Sequence, residues 1–183
     1  MKKLLFSTLV SLMLIGSASA QEAKKKDSIT ITDTNGKTYT IKGTPLGLDI
    51  SGTKGKVVFI EFFGHNCPPC LMTIPHFNDL YKKHKGKIEI LSFEVDTRDP
   101  LSEAQLKAFI KQHKIVYPVF YGPKNTLLIS YLAERTQWEK FRFSIPFLIA
   151  FNTQGEVKYI QPGMLPPQTL EEIYQELSKP STK

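Results

Sequence analysis

The run Val57-Val-Phe-Ile-Glu-Phe-Phe63 constrains the fold of this chain more than any other stretch. Only Glu61 interrupts its β-prone apolar residues, and there is no polar alternation, so it reads as a central strand covered on both faces. A strand buried in this way needs a packed layer on each side, which implies an α/β sheet with helices on both faces. The run stops at Gly64, and Cys67-Pro-Pro-Cys70, holding the only two cysteines of the chain, follows at once.

Helical spacing takes over after that point. Leu71, Ile74, Phe77, Leu80 and Tyr81 recur on one face, predicting a helix over 69–81. Pro68 and Pro69 suit its first turn, where a missing N–H costs nothing, and Pro75 should kink it. A second strand over 87–95 completes a β-α-β unit. Ser102 with Gln105 forms a capping-box pattern that opens a helix running to about His113. A short strand is expected over 116–121 and a helix from Lys124 to about Ala133, while 134–142 carries no assignable pattern. A hairpin follows, with strands at 144–151 and 156–160 around Asn152-Thr-Gln-Gly155, and then a closing helix over 166–177. Before the central strand, 29–32 and 37–41 alternate apolar with polar around Asn35-Gly36, the signal of an N-terminal β-hairpin.

The first twenty residues have the form of an export signal, with Lys2-Lys3, an apolar core from Leu4 to Ile15, and Ala18-Ser-Ala20 as a cleavage site. The core is short for a spanning anchor, which needs about 20 apolar residues. The expectation is a periplasmic protein with no lipoprotein cysteine at the cleavage site. Removal of those residues, with two lysines and no acid, leaves 163 residues and lowers the formal charge from +7 to +5. That length fits one domain, with 21–54 as an N-terminal extension, 55–178 as the main domain and 179–183 as a flexible tail. The positive charge is dispersed as Lys24–Lys26, Lys82-Lys83 and Lys85/Lys87, the pattern of solvated faces rather than a nucleic-acid surface. Nothing points to an oligomer, and a monomer is expected.

Two thiols three apart at the junction of a strand and a helix can do several things. A helix N-terminus offers free N–H groups and partial positive charge, which stabilise a thiolate at Cys67. Cys70, one turn further in, is placed to resolve a mixed disulfide formed at Cys67 by thiol–disulfide exchange. A purely structural bond would close only a four-residue loop and constrain the unfolded chain little. Metal binding is the rival from another class. His65, His76, His84 and His113 show no H-x3–5-H pair for zinc, whereas a Cu(I) site of Cys67, Cys70 and His65 stays open. Covalent haem attachment requires C-x-x-C-H, and residue 71 is leucine.

Over about residues 55–178 the chain resembles the thioredoxin superfamily, and within it the exported TlpA/ResA-type branch. Phe62-Phe63-Gly64 before Cys67-Pro-Pro-Cys70 matches the strand end and active-site segment. Pro75, Ile145-Pro146 and Gly163 fall where the family has its helix kink, its cis-proline dipeptide and a glycine ahead of the last helix. The export signal, the N-terminal hairpin and the long stretch from Asp96 to Ile145 favour the TlpA/ResA branch, which inserts a helix and a strand there, at about 97–143. The resemblance implies a thioredoxin fold, a mixed central β-sheet with helices on both faces. It also implies that the backbone beside Pro146 pairs with an extended substrate segment.

Departures from the family pattern are informative. Asn66 stands where tryptophan usually precedes the first cysteine, Thr73 where ResA-like proteins carry glutamate, and Ser92 where thioredoxin has a lysine. His65 is either a charged neighbour of the thiolate or a solvent-facing loop residue. Glu61 takes the place of thioredoxin's buried aspartate; it is either a buried carboxyl, whose pKa burial would raise to suit proton transfer with Cys70, or a strand-end carboxylate reaching water.

These residues describe a thiol–disulfide oxidoreductase with no bound cofactor. Cys67 acts as nucleophile, Cys70 as resolving thiol and Glu61 as proton carrier. Ile145 and Pro146 bind substrate, while His65, Pro68 and Pro69 tune the pair. The family analogy implies reduction of cysteine-containing exported proteins, including apocytochrome c, with electrons from an inner-membrane thiol donor. A general oxidant or isomerase and a copper chaperone are the alternatives.

Overall fold

The structure, a computed structural model, describes residues 28–96, 98–122, 126–136 and 144–180. The export signal at 1–20, the lysines at 24–26, residues 137–142 of the unassigned stretch and the last three tail residues lie outside them.

The chain runs β1 (Ser28–Thr32), β2 (Thr38–Thr44), β3 (Gly47–Ile50), β4 (Val57–Phe63), α1 (Pro68–Lys83), β5 (Ile88–Glu94), α2 (Glu103–Gln112), β6 (Val119–Tyr121), α3 (Thr126–Thr136), β7 (Phe147–Phe151), β8 (Val157–Pro162) and α4 (Pro167–Leu177). The main sheet has the order β6-β5-β4-β7-β8. β4 pairs parallel with β5, and β5 with β6, whereas β7 is antiparallel to both β4 and β8. This is the mixed α/β sheet expected.

Every residue of β4 is buried, because the strand lies between two apolar layers. Phe59 and Phe63 face α1, α2 and α4, meeting Ile74, Phe77, Leu106, Leu170 and Ile173. Val58, Ile60 and Phe62 face the other way, toward Ile41 and Leu48 of the N-terminal strands and Leu128 and Leu132 of α3. Phe63 also stacks on Phe109 of α2, with ring centroids 5.9 Å apart.

The N-terminal unit contains the expected hairpin, β1 paired antiparallel with β2 from Ser28↔Lys42 to Thr32↔Thr38, and extends it by one strand. It is a three-stranded antiparallel sheet in which β3 pairs with β2 from Ile41↔Ile50 to Thr44↔Gly47. Four residues are too few to show a period, yet Leu48 and Ile50 both enter the core. Backbone hydrogen bonds tie this sheet to both edges of the main one. The Thr34 N–H donates to the Val119 carbonyl, and the Leu48 N–H to that of Gly155.

Other boundaries differ for local reasons. β6 starts at Val119 rather than 116, because the Val116 N–H is taken by Asn78 Oδ1 at 3.0 Å and Pro118 has no N–H to give. α1 begins at Pro68, with Cys67 as its N-cap, and continues to Lys83 with Pro75 inside it. α2 carries the expected capping box, with Ser102 Oγ accepting from the Gln105 N–H and Gln105 Oε1 accepting from the Ser102 N–H. β7 begins only after the Ile145–Pro146 peptide, which is cis.

Gly47 marks the tightest contact between the two sheets. A Cβ there would lie 2.1 Å from the Gly155 carbonyl oxygen and 3.0 Å from the Val157 nitrogen. Gly47→Ala is expected to destabilise the fold by about 1–3 kcal/mol, the usual range for overpacking. Urea unfolding measures the loss, and limited proteolysis should show residues 28–50 cut earlier than in the parent chain.

Candidate active site

Cys67 and Cys70 form a disulfide across the first turn of α1, with Cα atoms 5.2 Å apart. The local sequence dictates their unequal access. Cys67 caps the helix in extended conformation at the end of the β4 turn, and its sulfur side is 8% exposed as a residue; Cys70, one turn in, is fully buried. Pro68 and Pro69 between them are exposed. As first and second helical residues they supply no N–H, so the Cys70 N–H is left to meet Cys67 Sγ, at 3.3 Å.

The cis Ile145–Pro146 peptide lies beside this sulfur, with the Ile145 carbonyl oxygen 3.9 Å from Cys67 Sγ. The Pro146 carbonyl accepts the Gly163 N–H at 2.7 Å, which fixes the loop before α4 against the proline. Gly64 makes room for this approach, since a Cβ there would come within 2.8 Å of Ile145 Cδ1.

Glu61 is 1% exposed, on the face of β4 that looks toward α1. Ser92 Oγ donates to Glu61 Oε2 at 2.6 Å. The Thr73 hydroxyl stands 3.4 Å from Oε1 and donates to the Cys70 carbonyl at 2.7 Å, bridging the carboxyl and the inner cysteine. Burial pushes the Glu61 carboxyl up to about 7, although the hydrogen bonds from Ser92 and Thr73 pull it down. A cavity of about 10 Å³ between Glu61, Thr73, Pro146 and Gly163 is about the size of one water.

His65 is not a solvent-facing loop residue. Its side chain is 8% exposed, with Nδ1 3.0 Å from Glu94 Oε1 and Nε2 2.9 Å from Asn66 Nδ2. Glu94, at the end of β5, is itself buried and also accepts the Asp96 N–H at 3.0 Å. Asn66 Nδ2 donates to Asp99 Oδ2 at 3.0 Å. With both ring nitrogens engaged, His65 does not join the two sulfurs as a third metal ligand, and among the described residues no group of three His, Cys, Asp or Glu is placed to hold a metal ion.

The expected residues therefore gather around one point: Cys67 and Ile145 on its more accessible side, Cys70 and Pro146 buried behind them, and Glu61 beneath. Glu94 and Asp99 were missed. The signal for Glu94 was available, because it is a carboxylate in the apolar run Ile90-Leu-Ser-Phe-Glu-Val95, as Glu61 is in its own strand. Asp99 gave none, since an acid in an exposed loop is unremarkable in a sequence.

A family profile described as AhpC/TSA matches residues 23–160. The thiol-disulfide oxidoreductase ResA of Bacillus cereus is 31% identical over 143 residues, covering 70% of this chain and 75% of that protein. ResA of Bacillus subtilis is 25% identical over 174 residues, covering 94% and 84%. This chain belongs to the AhpC/TSA family, among the ResA-type thiol-disulfide oxidoreductases. The fold agrees with crystal structures of StoA from Bacillus subtilis (TM-score 0.58, 19% identity, covering 80% of this chain and 95% of that one) and of a thioredoxin-family thiol:disulfide interchange protein from Chlorobium tepidum (TM-score 0.63, 19% identity, covering 84% and 94%). Membership places the chain among the enzymes. Among the described residues no helix is long and apolar enough to cross a membrane.

The Glu61 environment gives a pH signature. Its carboxyl titrates near 7 when folded and near its ordinary value of 4.5 when unfolded, so between these the folded state holds more protons. Stability therefore falls as pH rises through that window, by about 3 kcal/mol in all. Glu61→Gln removes this term. The variant's stability relative to the parent, from urea unfolding with the disulfide intact, is expected to rise between about pH 5 and pH 8.

Proposed function

We propose that the protein is a periplasmic reductase of cysteine-containing exported proteins, apocytochrome c among them, working as a monomer. The observation that carries this direction is the poor supply of donors to Cys67. One backbone N–H reaches its sulfur, because prolines fill the first two helical positions. Of the charged side chains in this loop, Glu94, Asp96 and Asp99 are acids, the His65 ring is tied to Glu94, and Arg98 is paired with Asp96. A dithiol whose reduced form gains so little from its surroundings is the more reducing.

In the reaction, the Cys67 thiolate attacks one sulfur of a substrate disulfide. The Cys67–substrate bond forms while the substrate's other sulfur leaves as thiolate. Cys70, having lost its proton, attacks Cys67 Sγ, which closes the Cys67–Cys70 disulfide and releases the second substrate thiol. Two electrons pass from the dithiol to the substrate, and no bound cofactor takes part. Glu61, linked through the Thr73 hydroxyl to the Cys70 backbone carbonyl, takes up the proton that Cys70 releases, its pKa near 7 suiting exchange at neutral pH. The Ile145–Pro146 backbone lies where an extended substrate segment would be held against Cys67. A thiol donor in the inner membrane then reduces the closed disulfide. The export signal read at 1–20 supports the location.

The reduction potential tests the direction. A value near or below about −250 mV in thiol redox buffers fits a reductase, and one near about −120 mV would turn the reading to an oxidant. Pro69→Ala returns an N–H to the second helical position. It is expected to make the pair more oxidising by about 30–60 mV, the worth of one charge-assisted hydrogen bond of about 1.5–3 kcal/mol. Cys67→Ser is expected to abolish exchange, whereas Cys70→Ser should accumulate the mixed disulfide with substrate, visible by mass on non-reducing gels.

A further inference from the structure

The hydrogen bonds around Asn66 and His65 diverge from the Asn66 amide, and chemistry fixes the direction of each. Asp99 Oδ2, as a carboxylate, can only accept, so the Asn66 group 3.0 Å from it is the amide NH2. The same NH2 lies 2.9 Å from His65 Nε2, which must then be an acceptor. The ring proton is therefore on Nδ1, where it is donated to Glu94 Oε1 at 3.0 Å. A proton on Nε2 as well would set two donors against each other. Glu94 is itself fixed by the Asp96 N–H. Glu94, His65, Asn66 and Asp99 thus form one chain of donors and acceptors from the buried end of β5 to the surface.

Asn66 is exposed and directly precedes Cys67. Its NH2 is committed to both His65 and Asp99, and among the described residues no donor is assigned to its Oδ1. An asparagine locked through its NH2 presents its carbonyl oxygen without first losing side-chain freedom, which lowers the cost of binding. The donor that every cysteine-containing segment offers is the backbone N–H flanking the cysteine. We propose that Asn66 Oδ1 is a preformed acceptor for a backbone N–H of the substrate segment, and that His65, held by Glu94, is the positioning residue that keeps it so. The segment then lies across Cys67, meeting Asn66 on one side and the Ile145 backbone on the other.

This rests on the oxidoreductase reading, and the test keeps the two apart. The full-length protein is assayed against a short peptide with one intramolecular disulfide and against hydroxyethyl disulfide, which has no amide. In Asn66→Ala the ratio of kcat/KM for the peptide to that for hydroxyethyl disulfide is expected to fall about three- to tenfold, the worth of one hydrogen bond. His65→Ala should lower the ratio comparably and add little on the Asn66→Ala background, since both act through the same oxygen. An unchanged ratio in Asn66→Ala, or a His65→Ala loss that adds fully to it, overturns the proposal. The exposed Asn66 variant decides the question even where His65→Ala folds poorly. Failure of the parent protein to reduce either disulfide would instead count against the oxidoreductase reading.

Discussion

The burial of β4 on both faces is the constraint on which the rest of the molecule depends. A seven-residue strand with no exposed residue requires the helical layer of α1, α2 and α4 on one side and the N-terminal sheet with α3 on the other. Its C-terminal end is then held rigidly by pairing with β5 and β7 at once. The turn at Gly64 delivers Cys67 from that rigid end to the start of α1. The antiparallel neighbour β7 brings Ile145–Pro146 to the same level, because Phe62 pairs with Phe147, the next residue along. The sulfur and the cis-proline thus meet through sheet register.

Charge is distributed around this point in two separate carboxylate systems. Glu61 lies beneath Cys70 and is coupled to it through the Thr73 hydroxyl. Glu94 lies beside the loop that leads into Cys67 and is coupled to it through His65 and Asn66. Neither system places a cation on the nucleophile. The inner one is linked to the backbone of Cys70, whereas the outer one fixes the loop before Cys67.

Much of this was legible because it is local. Strand, turn, cysteine pair and helix start are adjacent in the sequence, and the capping box at Ser102 and Gln105 spans a single turn. The fold class followed from the spacing of such segments, and Ile145–Pro146 was placed by resemblance rather than by any local signal. What stayed hidden depends on distance along the chain. β3 is defined by pairing with β2 and docking on Gly155, not by its four residues. Val116 is β-prone, but an asparagine 38 residues earlier takes its N–H. His65 read as equally suited to a charged or an exposed role, because its partner Glu94 is 29 residues away.

The departures from the family pattern acquire a physical sense together. Asn66, Thr73 and Ser92 replace a tryptophan, a glutamate and a lysine, and each is a hydrogen-bonding member of one of the two networks. At Glu61 the effect is specific. A lysine at 92 would place a positive charge against the carboxyl and hold it ionised, whereas a glutamate at 73 would add a competing negative charge. Two hydroxyls instead solvate the group without charge, so desolvation prevails and the carboxyl titrates near 7. A proton carrier with that pKa gives and takes protons with comparable ease at neutral pH. Burial thus holds the carboxyl up near 7, and its two neutral hydrogen-bond partners bring it down only in part.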